Sequence, residues 1–198
     1  GIQVNYEQLV NYVTKHNNGY KIETQSKTFY ADKVIISTGG MALPKSGSDG
    51  MGYQFAKSFG HHITNVFPAL VKLELDYPYL KQMDGVKVKA KAELIYQDQS
   101  IHAEFGDVLF TKYGISGPTI LQISRKANEL LESKQKAYIK VKIIENLQYK
   151  DLVMRFKSQQ GKSIEMALIG LIPKKLIHPI LKEAGLKNFN EYVENIPG

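Results

Sequence analysis

Apolar and polar positions change period several times along the chain. In the first third the pattern is short and strand-like: "IQVNY" and "EQLVNYVTK" read as β-strands, and "YKIETQ" and "TFYADKVIIS" follow. Asn18-Gly19 is a hairpin turn signal between the second and third of these, and Ser26-Lys27 marks the next turn. Val34-Ile35-Ile36 is continuously apolar, which predicts a strand covered on both faces, as in a parallel sheet. Residues 49–59 predict a short helix with Met51, Phe55 and Phe59 on one face, Ser48 or Asp49 as its cap and Gly60 at its end.

From about Thr64 the period is two. "VFPALVKLEL" reads as a strand, and "VKVKAKAELIY" alternates cleanly, with Val86, Val88, Ala90, Ala92 and Leu94 opposite Lys87, Lys89, Lys91 and Glu93. "QDQS" turns the chain, "IHAEFGDVLFT" returns, and "AYIKVKII" alternates again after a helix that opens at Pro118. That helix carries Ile120, Ile123, Ala127, Leu130 and Leu131 as its stripe. Several such antiparallel strands predict a compact sheet or a barrel. From Asn146 the period is helical. Leu152 and Phe156 share a face, Ser163 caps a second helix, Pro173 opens a third that Pro179 kinks, and Asn188 with Glu191 starts a last one. The expected class is α+β: a partial α/β segment, a barrel and a small helical bundle, without internal repeats.

Composition narrows the function classes. There are no cysteines, so disulfides, thiol catalysis and thiolate metal sites are excluded. The formal net charge is +7, yet Arg125 and Arg155 are the only arginines among 26 basic residues. Base-reading proteins favour the arginine fork, so a lysine surface reads first as solubility, and a nucleic-acid partner is not expected. No apolar run approaches the roughly 20 residues of a membrane span, and no basic-then-apolar leader is present. A cytoplasmic protein without a membrane partner is expected. Gly1 is not an initiator Met, and the chain ends straight after a helical pattern, so it reads as an internal piece of a longer protein.

Candidate chemistry concentrates in "VIISTGGMALPKSGSDGMGY", residues 34–53. In open α/β sheets ligands lie beyond the carboxyl ends of strands, where Thr38-Gly39-Gly40 falls. Glycine lets a flat ring or a phosphate approach the main chain, and Thr38 adds a hydroxyl. "GSDGMG" leads into a helix whose free N–H groups attract anions, but Asp49 puts a negative charge at the same place. The spacing is neither G-x-G-x-x-G nor a P-loop, and a glycine turn with a capped helix and no ligand accounts for it as well. His61 and His62 would point to opposite faces of a strand, and His16, His102 and His178 have no ligand spacing with them. Ser116 in "YGISGP" has no Asp/His partner and reads as a turn and helix cap. The Lys87/Lys89/Lys91 comb reads as the wet face of a strand.

Two blocks carry a resemblance. "VIISTGGMALPKSGSDGMGYQFAKSFGHHITNVFPALVKLEL" resembles a bacterial flavoprotein segment that runs strand, T-G-G, a proline, G-S-x-G-x-G-Y, a helix, G-H and P-A-L-V. "GDVLFTKYGISGPTILQIS" resembles the same family's L-F-T-x-x-G-(I/L)-S-G-P block. The family is the NAD(P)/FAD-dependent oxidoreductases of the BaiN/RdsA type, also called aminoacetone-oxidase-like FAD-binding enzymes. The resemblance implies an FAD domain interrupted by an insert: residues 1–62 as part of the FAD domain, 63–145 as a β-barrel insert and 146–198 as a helical subdomain. It places the G-x-G-x-x-G and the acidic ribose ligand before Gly1, and a closing FAD-domain segment after Gly198; these would be the chain's partners within one longer polypeptide. It implies Thr38, Gly39 and Gly40 near FAD, with Pro44, Gly47, Ser48, Gly50, Gly52 and Tyr53 shaping the adjoining wall. Asp49 and Met51 depart from the commoner Thr and Asp of the family. No catalytic residue carries over.

The implied activity is hydride transfer from NAD(P)H through FAD to a small unsaturated or carbonyl substrate, with this piece inactive by itself. The rival expectation is a non-enzymatic barrel-and-helix module that meets a protein or RNA partner through its lysine face. For base stacking the comb strand offers only Tyr96, at its end.

Overall fold

The computed structural model describes residues 1–195, which belong to two units divided between Val66 and Phe67. Residues 196–198 of the expected helical region lie outside the described residues. The architecture is mixed, with antiparallel sheets and helices.

In the first unit β1 (Val10–His16), β2 (Gly19–Thr24) and β3 (Thr28–Ala31) form the expected meander in the order β1-β2-β3. The β1–β2 turn sits one residue earlier than Asn18-Gly19. His16 pairs with Gly19, so Asn17 and Asn18 make the loop, and Asn17 takes the left-handed conformation that asparagine tolerates. Gly19 serves another purpose: a Cβ there would stand 2.5 Å from the Ala31 carbonyl oxygen across the sheet. At the second turn the Thr24 hydroxyl accepts from the backbone N–H groups of Ser26 and Lys27.

Two predicted strands of this unit are not formed. Residues 2–6 are irregular and leave Ile2 95% exposed. Val34–Ile36 is irregular too, with Ile35 90% exposed. The physical reason is the same in both cases. A strand needs a neighbour to satisfy its N–H and C=O groups, and no described strand pairs with either segment. Helix α1 (Met51–Ser58) forms where expected, although Gly50, not Ser48 or Asp49, is its N-cap residue: Phe55 is buried, the Phe59 ring stands edge-on to Tyr20 at 5.6 Å, and Gly60, at φ +86°, closes the end.

The second unit is built on a five-stranded antiparallel sheet of order β4-β7-β6-β5-β8. Its strands are β4 (Leu73–Glu74), β5 (Lys87–Tyr96), β6 (Gln99–Thr111), β7 (Gly114–Ser116) and β8 (Tyr138–Lys142). Among the described residues no ladder joins β8 to β4, so the predicted barrel is an open sheet. The strand expected over "VFPALVKLEL" shrinks to two residues, because Pro68 lacks an N–H and Leu70 takes φ +55°. Helix α3 (Pro118–Glu132) bonds this irregular stretch instead. Ser124 Oγ accepts from Val71 N–H at 3.1 Å, and Asn128 Nδ2 donates to the Pro68 carbonyl at 2.7 Å.

Helices α2 (Leu80–Met83), α3 (Pro118–Glu132), α4 (Tyr149–Lys157), α5 (Ile164–Leu168) and α6 (Lys174–Glu183) complete the unit. One core unites sheet and helices, drawing Ala92, Leu94 and Val108 from the sheet, Ile120 and Ile123 from α3, and Leu176 and Ile177 from α6. Leu131 leaves the predicted α3 stripe and is exposed. Ser163 caps α5 by accepting from Met166 N–H, and Pro179 sits buried inside α6. The predicted last helix is a 3-10 turn, Val193–Asn195, with Asn188 and Glu191 bonded to each other before it.

Candidate functional site

The glycine stretch folds back on itself. Thr38-Gly39-Gly40 leaves the irregular 34–37 segment, a 3-10 turn follows at Pro44–Ser46, and the chain returns through Ser48 to Gly50 and α1. Leu43 and Ser48 bridge across the turn. Three close approaches hold the two arms together. A Cβ on Gly39 would stand 2.7 Å from Ser48 Oγ, one on Gly40 would stand 3.1 Å from the Tyr53 hydroxyl, and one on Gly52 would collide with Thr38 Oγ1. The structure therefore brings Thr38, Gly39, Gly40, Ser48, Gly52 and Tyr53 into one cluster. Gly50, at φ +86°, is the N-cap residue of α1 and packs against Met41. Pro44 and Gly47 lie at the tip, where Gly47 N–H donates to the Pro44 carbonyl at 3.0 Å and a Cβ on Gly47 would meet nothing.

Several of these glycines thus answer to contacts within the chain. Their other side is bare: Thr38 and Gly39 are exposed, and Gly39 takes φ +76°. An uncovered main-chain edge with a hydroxyl at its start fits the flank of a flat cofactor such as FAD. It does not fit a pyrophosphate cradle. Asp49 Oδ1 accepts from Met51 N–H at 3.0 Å, so a carboxylate already occupies the first free N–H of α1. Beside the loop is a cavity of about 280 Å³, lined by Gly50 and Tyr53 together with Met41, Gln54, Lys57 and Val66. Sequence reasoning missed the last four. The spacing of Tyr53, Gln54 and Lys57 on one helix was the available signal for two of them.

The second motif block is architectural. Thr111 Oγ1 donates to the Gly114 carbonyl at 3.1 Å at the β6–β7 turn. Gly114 lies against the Leu73 backbone of β4, where a Cβ would collide. Gly117, at φ +100°, presses on the Asp107 carbonyl and turns strand into helix within one residue. Gly117, rather than Ser116, is the N-cap residue of α3, and no side chain caps it. Ser116 ends β7.

Among the described residues no group of three or more histidine and carboxylate side chains is placed to hold a metal, and no helix is long and apolar enough to cross a membrane.

The "HI0933-like protein barrel and H2TH domain" family model matches residues 67–197. A 3-dehydro-bile acid delta(4,6)-reductase of Clostridium scindens is 33% identical over 83% of this chain and 41% of its own length. A ribosomal RNA dihydrouridine synthase of Escherichia coli is 30% identical over 57% of the chain and 28% of its own. Its Haemophilus influenzae namesake is 25% identical over 89% and 42%. The chain spans less than half the length of each of these relatives. With the family model covering well over half of the chain, and with both motif blocks in place, the chain belongs to the HI0933-like family, the BaiN/RdsA-type FAD-dependent oxidoreductases.

Proposed function

We propose that the longer protein to which this chain corresponds is a flavoprotein reductase that passes a hydride from NAD(P)H through FAD to a carbon–carbon double bond. The family match carries the flavin reading. The double bond, rather than a carbonyl, is favoured by the names of the relatives: a delta(4,6)-reductase and a dihydrouridine synthase both saturate such a bond. Two substrate classes therefore stand side by side, a small unsaturated molecule and a uracil base within RNA. The reductant pool such an enzyme uses, and the absence of cysteine, suit a cytoplasmic setting.

In this reading FAD supplies the hydride chemistry, and the protein binds and orients it. Thr38, Gly39 and Gly40 flank the cofactor through their bare main chain. Ser48, Gly52 and Tyr53 hold that edge in place from behind, Gly50 opens α1 beside it, and Pro44 and Gly47 form the tip of the adjoining loop. The unpaired Val34–Ile36 segment becomes a strand of the FAD-domain sheet when the remaining segments of the longer protein supply its neighbours. The sheet and helices of residues 67–195 serve the substrate side.

The test is a visible spectrum of the purified full-length protein and of this 198-residue chain, each after incubation with FAD. The full-length protein is expected to retain flavin absorbance through gel filtration. The present chain is expected to lose it, because it spans less than half the length of the relatives and contains no G-x-G-x-x-G. A full-length protein that stays colourless would overturn the flavin reading, and micromolar or tighter binding by this chain would show that the site is misplaced.

A further inference from the structure

The flavin reading leaves the outer face of β8-β5-β6 without a role. Lys87, Lys89 and Lys91 of β5 point away from the core, as the alternating burial requires. The register sets Lys142 of β8 beside Lys91, and Lys140 beside Glu93. On the other flank β6 sets Phe105 beside Lys91 and Asp107 beside Lys89. Tyr138 of β8 pairs with Ile95 at the far end of the same face.

Two lysines are internally neutralised: Lys87 lies 2.7 Å from Asp107, and Lys91 lies 3.0 Å from Glu93. Lys89, Lys140 and Lys142 have no carboxylate within ion-pair distance among the described residues. Both aromatic rings are open to solvent, Phe105 at 58% and Tyr138 at 69% exposure. From strand spacing and rise, the two rings stand roughly 16 Å apart along the diagonal of the sheet. A face kept wet only for solubility gains nothing from an exposed phenylalanine beside its lysines. An acidic protein also answers the lysines, and the test below separates it from a nucleic acid. A strand of unpaired nucleotides answers both, with phosphates for the ammonium groups and base faces for the rings. Arginine is not required for this mode, because lysines follow a backbone without reading base edges.

We propose that the outer face of the β8-β5-β6 sheet is a binding surface for single-stranded RNA, with Lys89, Lys140 and Lys142 contacting phosphates and Phe105 and Tyr138 stacking on bases. The choice of RNA rests on the second substrate class named above. Binding itself rests on the sheet alone and needs no flavin, so the two readings fail independently.

Fluorescence anisotropy with a labelled, mixed-sequence 12-nucleotide RNA tests it on the present chain, against an RNA duplex of equal length and a polyglutamate peptide. The single strand is expected to bind more tightly than either. Its affinity should fall with salt at a logarithmic slope of about −2, which corresponds to three phosphate contacts at about −0.7 each. Lys89→Glu with Lys142→Glu, and separately Phe105→Ala, are each expected to weaken binding by about tenfold or more. Phe105→Trp should keep it. Circular dichroism should show the fold retained, since all three positions are exposed, with only a small drop in melting temperature for Lys89→Glu, which faces Asp107. No binding at low salt, or binding that Phe105→Ala leaves intact, would overturn the proposal. Polyglutamate binding as tight as RNA would point to an acidic protein partner and overturn it too.

Discussion

Gly114 and Gly47 show how differently one residue type is used within a single chain. Gly114 has ordinary strand geometry, but its α-carbon lies against the Leu73 backbone, so a methyl group has nowhere to go without parting β4 from β7. Gly47 has open space around it and only the left-handed angle, φ +90°, to protect. Gly114→Ala is therefore expected to cost about 3 kcal/mol, the upper end of core overpacking, because the contact is with backbone, and Gly47→Ala about 1–2 kcal/mol, the cost of left-handed backbone. Urea denaturation of the two variants checks this; equal costs would contradict the contact argument. The motif that holds Gly114 was legible as a string of residues. Its meaning as a strand corner was not, because the atom that forbids a side chain belongs to a residue 41 positions earlier.

At the scale of elements, periodicity was a good guide wherever a segment found its partner within the chain. The β5–β6 hairpin, β8, α1 and α3 all lie where alternation or a helical stripe placed them. Two other segments depart from their pattern for different reasons. Val34–Ile36 lacks a neighbouring strand among the described residues. The "VFPALVKLEL" run loses its strand to a competing set of hydrogen bonds from α3. Ser124 anchors the latter: fully buried, it donates to the Leu121 carbonyl at 2.7 Å while accepting from Val71 N–H. Ser124→Ala removes that acceptor and leaves the Val71 N–H unsatisfied, which is expected to cost about 1–3 kcal/mol. It should also speed hydrogen exchange at Val71 well ahead of the α3 amides, which mass spectrometry after peptide digestion would resolve. Uniform exchange across the unit would argue that Ser124 is only filling space.

At the scale of the whole molecule, the core that unites the sheet with α3, α5 and α6 lies entirely within the second unit. A polypeptide of residues 67–198 is accordingly expected to fold alone and melt in one cooperative transition, followed by circular dichroism; a non-cooperative melt would show that its core is incomplete. By itself the sequence determined the alternation of the long strands, the helical stripes, the lack of thiol chemistry and, through two motif blocks, the flavoprotein family. These depend on local spacing and residue type, which a linear string records in full. Only the tertiary structure decided that the sheet stays open, that Asp49 occupies the first N–H of α1, and that exposed rings on β6 and β8 flank the lysine comb of β5. Each of these turns on which distant segments become neighbours. Strand registers and carbonyl positions settle that, and no single stretch of sequence contains them.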